Sequence, residues 1–217
     1  MTMDRLIDSA LLYIFLLIVI TFHECGHAWT AWKMGDPTAK MMGRVTLNPI
    51  AHIDPIGTVL LPGIALLLGA FNPKLGSLII GWGRPVPVNP LNFRNRKWGE
   101  VLVSLAGPFM NIAVAFVAIA LGRIFVQIGV KGLVDACTML AWLSLFLCYF
   151  NLLPIPPLDG SHVFKWLVGM SEESYLMLSR YGIILIILAI QFPPVMQLLD
   201  AAVTVTYRIL VSIVMVV

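Results

Sequence analysis

Thr21-Phe22-His23-Glu24-Cys25-Gly26-His27-Ala28 closes an apolar run that begins at Ala10 and carries no charge through Phe22. A run of that length and polarity predicts a membrane-spanning helix. On a helix, His23 and His27 are four residues apart and stack on one face, their Cβ atoms roughly 5–6 Å apart, a span that one tetrahedral metal ion can bridge. Two neutral imidazoles at about 2.0–2.1 Å from zinc leave room for a third protein ligand and a water. Glu24, one position after the first histidine, is placed to take a proton from that water, which is the chemistry behind the H-E-x-x-H pattern. In a soluble helix the same pattern is as readily a solvated polar face. Inside a hydrocarbon-length segment, a glutamate between two histidines is costly unless it is functional or paired, and this favours the metal reading.

Composition agrees with a membrane setting. Hydrophobic residues make up 59% of the 217, charged residues 12%, and the mean hydropathy is +0.93, far from the roughly 25% charged norm of soluble domains. The expectation is an all-α polytopic membrane protein with about five to six transmembrane helices, forming a single membrane-embedded domain over 1–217. The formal charge of +3 resides in short interhelical loops, where the topology rule for basic residues explains it, so no nucleic-acid partner is expected. Cys25, Cys137 and Cys148 lie in apolar segments, are odd in number and lack C-x-x-C spacing; they read as buried thiols. Cys25, two positions after His23, points away from the histidine face. Asp4, Arg5 and Asp8 precede the first apolar run and no small-residue cleavage site follows it, so it is expected to be retained rather than removed as a signal peptide.

The first span is expected over 6–32, with Trp29, Trp32 and Lys33 as interfacial anchors that put the histidines within a few turns of one membrane face. A polar loop over 33–54 carries Lys33, Lys40 and Arg44 and ends at His52-Ile53-Asp54-Pro55-Ile56-Gly57. His52 reads either as a loop histidine hydrogen-bonded to Asp54 or as a residue behind the ligands or at a substrate gate. The apolar stretch 56–71 is short and contains Pro62 and Gly63; a second patch covers 75–82; and the loop 84–97, with Arg84, Arg94, Arg96 and Lys97, is the most basic in the chain. If both basic loops share the cytoplasmic side, 56–82 is a re-entrant hairpin, a full span being the alternative. Gly81-Trp82-Gly83-Arg84-Pro85-Val86-Pro87-Val88-Asn89-Pro90 has no helical character. It reads as a small extended segment where a substrate strand pairs, or as a turn-rich linker.

Further spans are expected over 101–125 and 134–153. Gly107, Pro108 and Asn111 in the former read as packing residues. After Lys165 come Glu172, Glu173 and a helical hairpin over about 175–217, hinged at Pro193-Pro194. The span before it ends in Asn151-Leu152-Leu153-Pro154-Ile155-Pro156-Pro157-Leu158-Asp159-Gly160. Its prolines end regular helix, and unwound backbone is tolerated in a bilayer only where protein or a water-filled cavity covers it. If the spans alternate as counted, Asp159 emerges on the side of His23 and His27 and supplies a third ligand; the alternative is an ordinary aspartate capping the next helix.

Taken together, His23-Glu24-Cys25-Gly26-His27, Gly107-Pro108 with Asn111, and Asn151-Leu152-Leu153-Pro154-Ile155-Pro156-Pro157-Leu158-Asp159-Gly160 strongly resemble the site-2 protease family of intramembrane zinc metalloproteases over about 10–170. The resemblance implies one Zn2+ per chain held by His23, His27 and Asp159, Glu24 as general base, and Asn151 in contact with substrate or oxyanion. It points to a compact member without PDZ or CBS domains, acting on a transmembrane protein substrate in the lipid bilayer. The expected setting is a prokaryotic plasma membrane with the active site toward the cytoplasm; substrate identity and oligomeric state are not read from the sequence. One departure is His162, where a basic arginine often follows the Asp-Gly pair; it reads as a residue behind the ligands or a competitor for the metal. Two rivals are carried. One is a CAAX-type membrane zincin, whose third ligand would be a glutamate drawn from Glu100, Glu172 and Glu173. The other is a non-proteolytic zinc-binding or metal-transport protein, against which the clustering of ionisable groups at one level speaks.

Overall fold

The structure is a computed structural model and describes residues 3–65 and 81–216. Helix α1 (Met3–Met34) is followed by a short turn of helix α2 (Thr38–Met41), a 3-10 turn at Pro49–His52 and an apolar helix α3 (Pro55–Ala65). Then come α4 (Arg96–Gln127), α5 (Lys131–Asn151), α6 (Asp159–Leu167), α7 (Glu172–Ser179), α8 (Gly182–Gln191) and α9 (Pro193–Val216). There is no strand among the described residues. Four helices, α1, α4, α5 and α9, are long and apolar enough to cross a membrane; α7 and α8, bent by 64° at their junction, make a fifth span if counted together. The all-α polytopic expectation is met, near the lower end of the expected span count. The hairpin expected over 56–82 falls largely on 66–80, outside the described residues.

Helix boundaries follow capping chemistry more than hydropathy. α4 begins at Arg96, ahead of its apolar stretch, because the Asn95 side chain accepts the Trp98 N–H and satisfies an otherwise orphaned donor. α9 begins at Pro193, where the missing N–H costs nothing and the fixed φ suits a helix start. The hinge expected at Pro193-Pro194 is therefore the start of a helix.

α4 is the central helix and packs against α1, α5, α6 and α9. Small residues permit the close crossings. Ala115, Ala118 and Ile119 of α4 meet Ala141 and Leu145 of α5 and Val203, Leu210 and Val214 of α9 in one buried cluster. On the α1 side, Gly26 faces the α4 backbone so closely that a Cβ there would stand 2.9 Å from the Ala106 carbonyl oxygen. Away from these contacts, Phe109, Val117, Leu121 and Ile124 of α4 stand exposed, as a lipid-facing surface requires and a water-facing one does not.

At the histidine end of the bundle the two basic loops are tied together. Asp36 is fully buried and accepts from the Thr38 N–H (3.1 Å) and hydroxyl (2.5 Å), the Asn92 side-chain amide (2.8 Å) and the Asn89 N–H (2.7 Å). The Arg94 N–H donates to Met34 C=O. Loops 33–54 and 81–95 therefore share one face of the molecule. Burial alone would raise the Asp36 carboxyl, but the hydrogen bonds from Thr38, Asn92 and Asn89 outweigh it and hold the group below its ordinary range. A lowered folded value stabilises above the unfolded value near 3.9, and that stability is lost as the pH falls through the lower folded value. Asp36→Ala removes the buried carboxylate that accepts from Thr38, Asn89 and Asn92 and is expected to cost about 2–3 kcal/mol, with the wild-type advantage flat from pH 5 to 8. Thermal midpoints of both proteins in detergent check this, and equal midpoints would show that the latch carries no stability.

Candidate metal centre

His23 and His27 lie on the face of α1 turned toward α4, both buried at 8% exposure. Their Nε2 atoms are 3.0 Å apart and their rings meet edge-on, with centroids 4.5 Å apart at 85°. Nothing holds two imidazole nitrogens so close in a dry site unless a proton or a cation lies between them. Asp159, the first residue of α6, brings Oδ2 to 3.2 Å from His23 Nε2 and 3.3 Å from His27 Nε2. These residues form the one group of potential metal ligands among the described residues, all three atoms within 4.8 Å of one another. Asp159 is thus brought to the histidines, the outcome in which it does more than cap a helix.

The donor set fits a metal. Ligands at about 2.0–2.1 Å from a tetrahedral zinc stand roughly 3.3–3.4 Å from one another, close to the separations seen here. The Asp159 Oδ2 is buried and makes no hydrogen bond among the described residues, an orphan that a cation would satisfy. His27 Nδ1 lies 2.7 Å from Val103 C=O. A carbonyl can only accept, so Nδ1 carries the proton and Nε2 turns its lone pair to the site. Behind the rings, Gly107 of α4 leaves the space that a side chain would fill: a Cβ there would stand 2.5 Å from His23 Cε1 and 2.6 Å from His27 Cε1, with His27 Nε2 closer still. Any residue but glycine would have to displace both rings.

α6 is aimed by two devices. Gly160 folds its first turn back onto the end of α5, where the Leu152 carbonyl occupies the place of a Cβ. Farther along, Lys165 donates to Glu100 (2.5 Å) and Glu172 (2.8 Å), Trp166 Nε1–H donates to Glu100 (3.0 Å), and Arg96 reaches both carboxylates at 2.9 Å. Glu100 and Glu172, two of the glutamates a CAAX-type site would draw upon, are thus committed to fastening α6 to α4 and α7.

Glu24 is half-buried on α1, one position round from His23. Gly83 passes over it: a Cβ on Gly83 would meet Ile20, the His52 carbonyl oxygen at 3.3 Å and Glu24 Cγ at 3.4 Å. The segment 81–89 has no regular structure and is pinned by Trp82 N–H to Gly57 C=O, Arg84 N–H to His52 C=O and the Thr58 hydroxyl to Trp82 C=O. A stretch without regular structure therefore lies beside the motif. Asn151 ends α5 and donates one amide hydrogen to Leu147 C=O at 2.9 Å. His52 is buried, but its partner is the Thr46 carbonyl (2.9 Å) and not Asp54, whose carboxylate accepts the N–H groups of Ile56 and Gly57; the helix start out-competes the histidine for that side chain. His162 lies against Tyr175, its Nε2 3.2 Å from the hydroxyl, and is not among the converging ligands; nor is Cys25. Gly107 and Asn111, read from the sequence as packing residues, both prove to face the histidines. Their spacing from Val103, at i, i+4 and i+8, was the available signal.

A model of peptidase family M50 matches residues 11–130 and 125–190. The chain belongs to peptidase family M50. The M50 match takes in α1, α4, α5 and α6, and so every residue of the converging group. Among similar proteins, "Putative zinc metalloprotease YwhC" of Bacillus subtilis is 42% identical over 164 residues, covering 72% of this chain and 68% of that protein. A Mycobacterium tuberculosis protein with the same designation, Rip2, is 34% identical over 144 residues. Zinc metalloprotease MJ0392 of Methanocaldococcus jannaschii is 26% identical over 163. The chain spans 52% of Rip2 and 36% of MJ0392. No solved structure matches it. The resemblance to site-2 proteases is borne out by M50 membership, and the chain is a multi-pass membrane zinc peptidase of that family.

Proposed function

We propose that His23, His27 and Asp159 hold one zinc ion, and that Glu24 and Asn151 act on the substrate, in an intramembrane zinc metalloprotease that hydrolyses peptide bonds in or near transmembrane helices. The observation that carries this reading is the convergence of two imidazole nitrogens and one orphaned carboxylate oxygen, 3.0–3.3 Å apart, on the H-E-x-x-H helix of an M50 chain.

Zinc, when bound, polarises the scissile carbonyl and brings the pKa of water toward about 7. Glu24 takes the proton of the attacking water and passes it to the leaving amine. Asn151 spends one amide hydrogen on Leu147 C=O; the other is the donor we assign to the developing oxyanion, a role worth about 2.7–4 kcal/mol where it has been measured. A helical carbonyl is shielded by its own hydrogen bond, so the substrate must unwind. We place the unwound segment along Arg84–Val88, between the anchors at His52 and Asp36.

The peptidase core is assigned to 10–170 and the C-terminal helical hairpin to 175–217, together one domain over 1–217. The basic loops at the histidine end support a cytoplasmic-facing site in a prokaryotic plasma membrane. M50 membership does not favour the non-proteolytic zinc-binding or metal-transport alternative.

Full-length protein purified in detergent is expected to carry about one zinc per chain and to cleave members of a panel of transmembrane-helix substrates. Cleavage should stop on removing the metal with a chelator and return with added zinc. A purified chain without zinc overturns the metal assignment; cleavage that survives metal removal overturns the mechanism.

A further inference from the structure

Asn111 is buried at 1% exposure on α4, and its side-chain amide lies 3.3 Å from His23 Nδ1. Its position is held from behind, where the Ser144 hydroxyl of α5 donates to the Asn111 backbone carbonyl at 2.7 Å. The amide nitrogen faces the ring, while Oδ1 is buried with no partner among the described residues. That arrangement requires His23 Nδ1 to accept. The ring proton then sits on Nε2, directed at His27 Nε2 and occupying the place of a metal. A half-turn of the amide reverses the relation: Oδ1 accepts an Nδ1–H, and Nε2 presents a lone pair. The His27 ring is already set in that sense by Val103 C=O.

We propose that Asn111 is a positioning residue for the metal centre: in the zinc-loaded protein its side-chain oxygen accepts the His23 Nδ1–H and so fixes the tautomer and ring orientation that leave Nε2 free to bind. The inference rests on the assignment of His23, His27 and Asp159 as zinc ligands. It gives one face of α4 a single task. Val103 and Asn111 stand two helical turns apart and each hold one imidazole by Nδ1, while Gly107 between them keeps clear the space both rings need. Partners of this kind raise the basicity of a ligating histidine as well as orienting it, and their loss typically costs about 10–100-fold in metal affinity.

The test compares zinc affinities of full-length wild type, Asn111→Leu and Asn111→Asp in detergent, by competition with a chelator of known affinity. Asn111→Leu keeps the branched shape of the side chain but has no acceptor and is expected to bind about 10–100-fold more weakly. Asn111→Asp restores the acceptor and is expected to bind within a few-fold of wild type or tighter. A purely structural role predicts a different order, because a buried carboxylate without metal is worse tolerated than leucine; thermal midpoints of the metal-free proteins separate the two effects. Equal affinity of wild type and Asn111→Leu overturns the proposal, as does Asn111→Asp falling with Asn111→Leu. Nitrogen-15 spectra of histidine-labelled, zinc-loaded wild type give a reading that needs no variant: His23 protonated at Nδ1 is expected, and His23 bare at Nδ1 overturns it. A wild type that takes up no zinc instead overturns the ligand assignment itself, so the two failures are distinguishable.

Discussion

Glu24→Gln is expected to hold about one zinc per chain, like wild type, and to cleave transmembrane substrates at least about 10²–10⁴-fold more slowly, the range over which a positioned general base contributes. The replacement is nearly isosteric and leaves a good helix former in α1. It removes only the capacity to accept a proton, since an amide nitrogen has no lone pair to offer water. Glu24 stands one position round the helix from His23 and is not among the three converging ligand atoms, so the metal is expected to stay. The segment at Gly83 that packs against Glu24 meets its methylene, which glutamine shares. Zinc per chain by elemental analysis, alongside cleavage of one substrate by both proteins, decides the matter. Wild-type cleavage by Glu24→Gln would remove Glu24 as the base; loss of zinc would make it a ligand.

Asp159→Ala should lose zinc by more than about 100-fold in affinity, beyond the effect of removing a partner that merely orients a ligand. Two neutral histidines would remain, one ligand short of the three that catalytic zinc sites keep. The carboxylate is also the only negative group of the set, so its removal takes away the charge that offsets the cation. Fold loss does not explain the outcome in advance, because α6 is fastened independently through Lys165, Trp166, Glu100 and Glu172. Thermal midpoints of the metal-free proteins are therefore expected to be similar. The same substitution tests the glutamate-ligand rival, under which zinc would be retained. Retention of zinc at wild-type affinity would exclude Asp159 as a ligand.

The positions of the spans and the pairing of His23 with His27 on one helix were legible in the chain because each depends on local chemistry. Apolar length sets where α1, α4, α5 and α9 run, to within the few residues that Asn95 and Pro193 adjust by capping. The i, i+4 spacing puts His23 and His27 on one face, and the break after Asn151 leaves Asp159 at the start of the next helix. His52 shows the limit of such reasoning. Asp54 is its neighbour in sequence, yet the carboxylate is taken by the first N–H groups of the following helix, and the imidazole turns to Thr46.

By itself, then, the sequence determined that this is a helical membrane protein with a histidine pair and a glutamate on one helix, and a carboxylate after a helix-breaking proline run. Tertiary structure alone decided what stands behind that pair. Gly107 and Asn111 are separated from His23 by more than eighty residues, and small or amide side chains on a membrane helix serve packing far more often than chemistry. Only the crossing of α1 over α4, made close by Gly26 against the Ala106 backbone, turns the Val103–Gly107–Asn111 stripe toward the imidazoles. Likewise, the hydrogen bonds of Asp36 join two loops whose sequences show only polarity and turns. Periodicity and polarity report what a residue prefers to face; which partner it meets is set by how the helices cross.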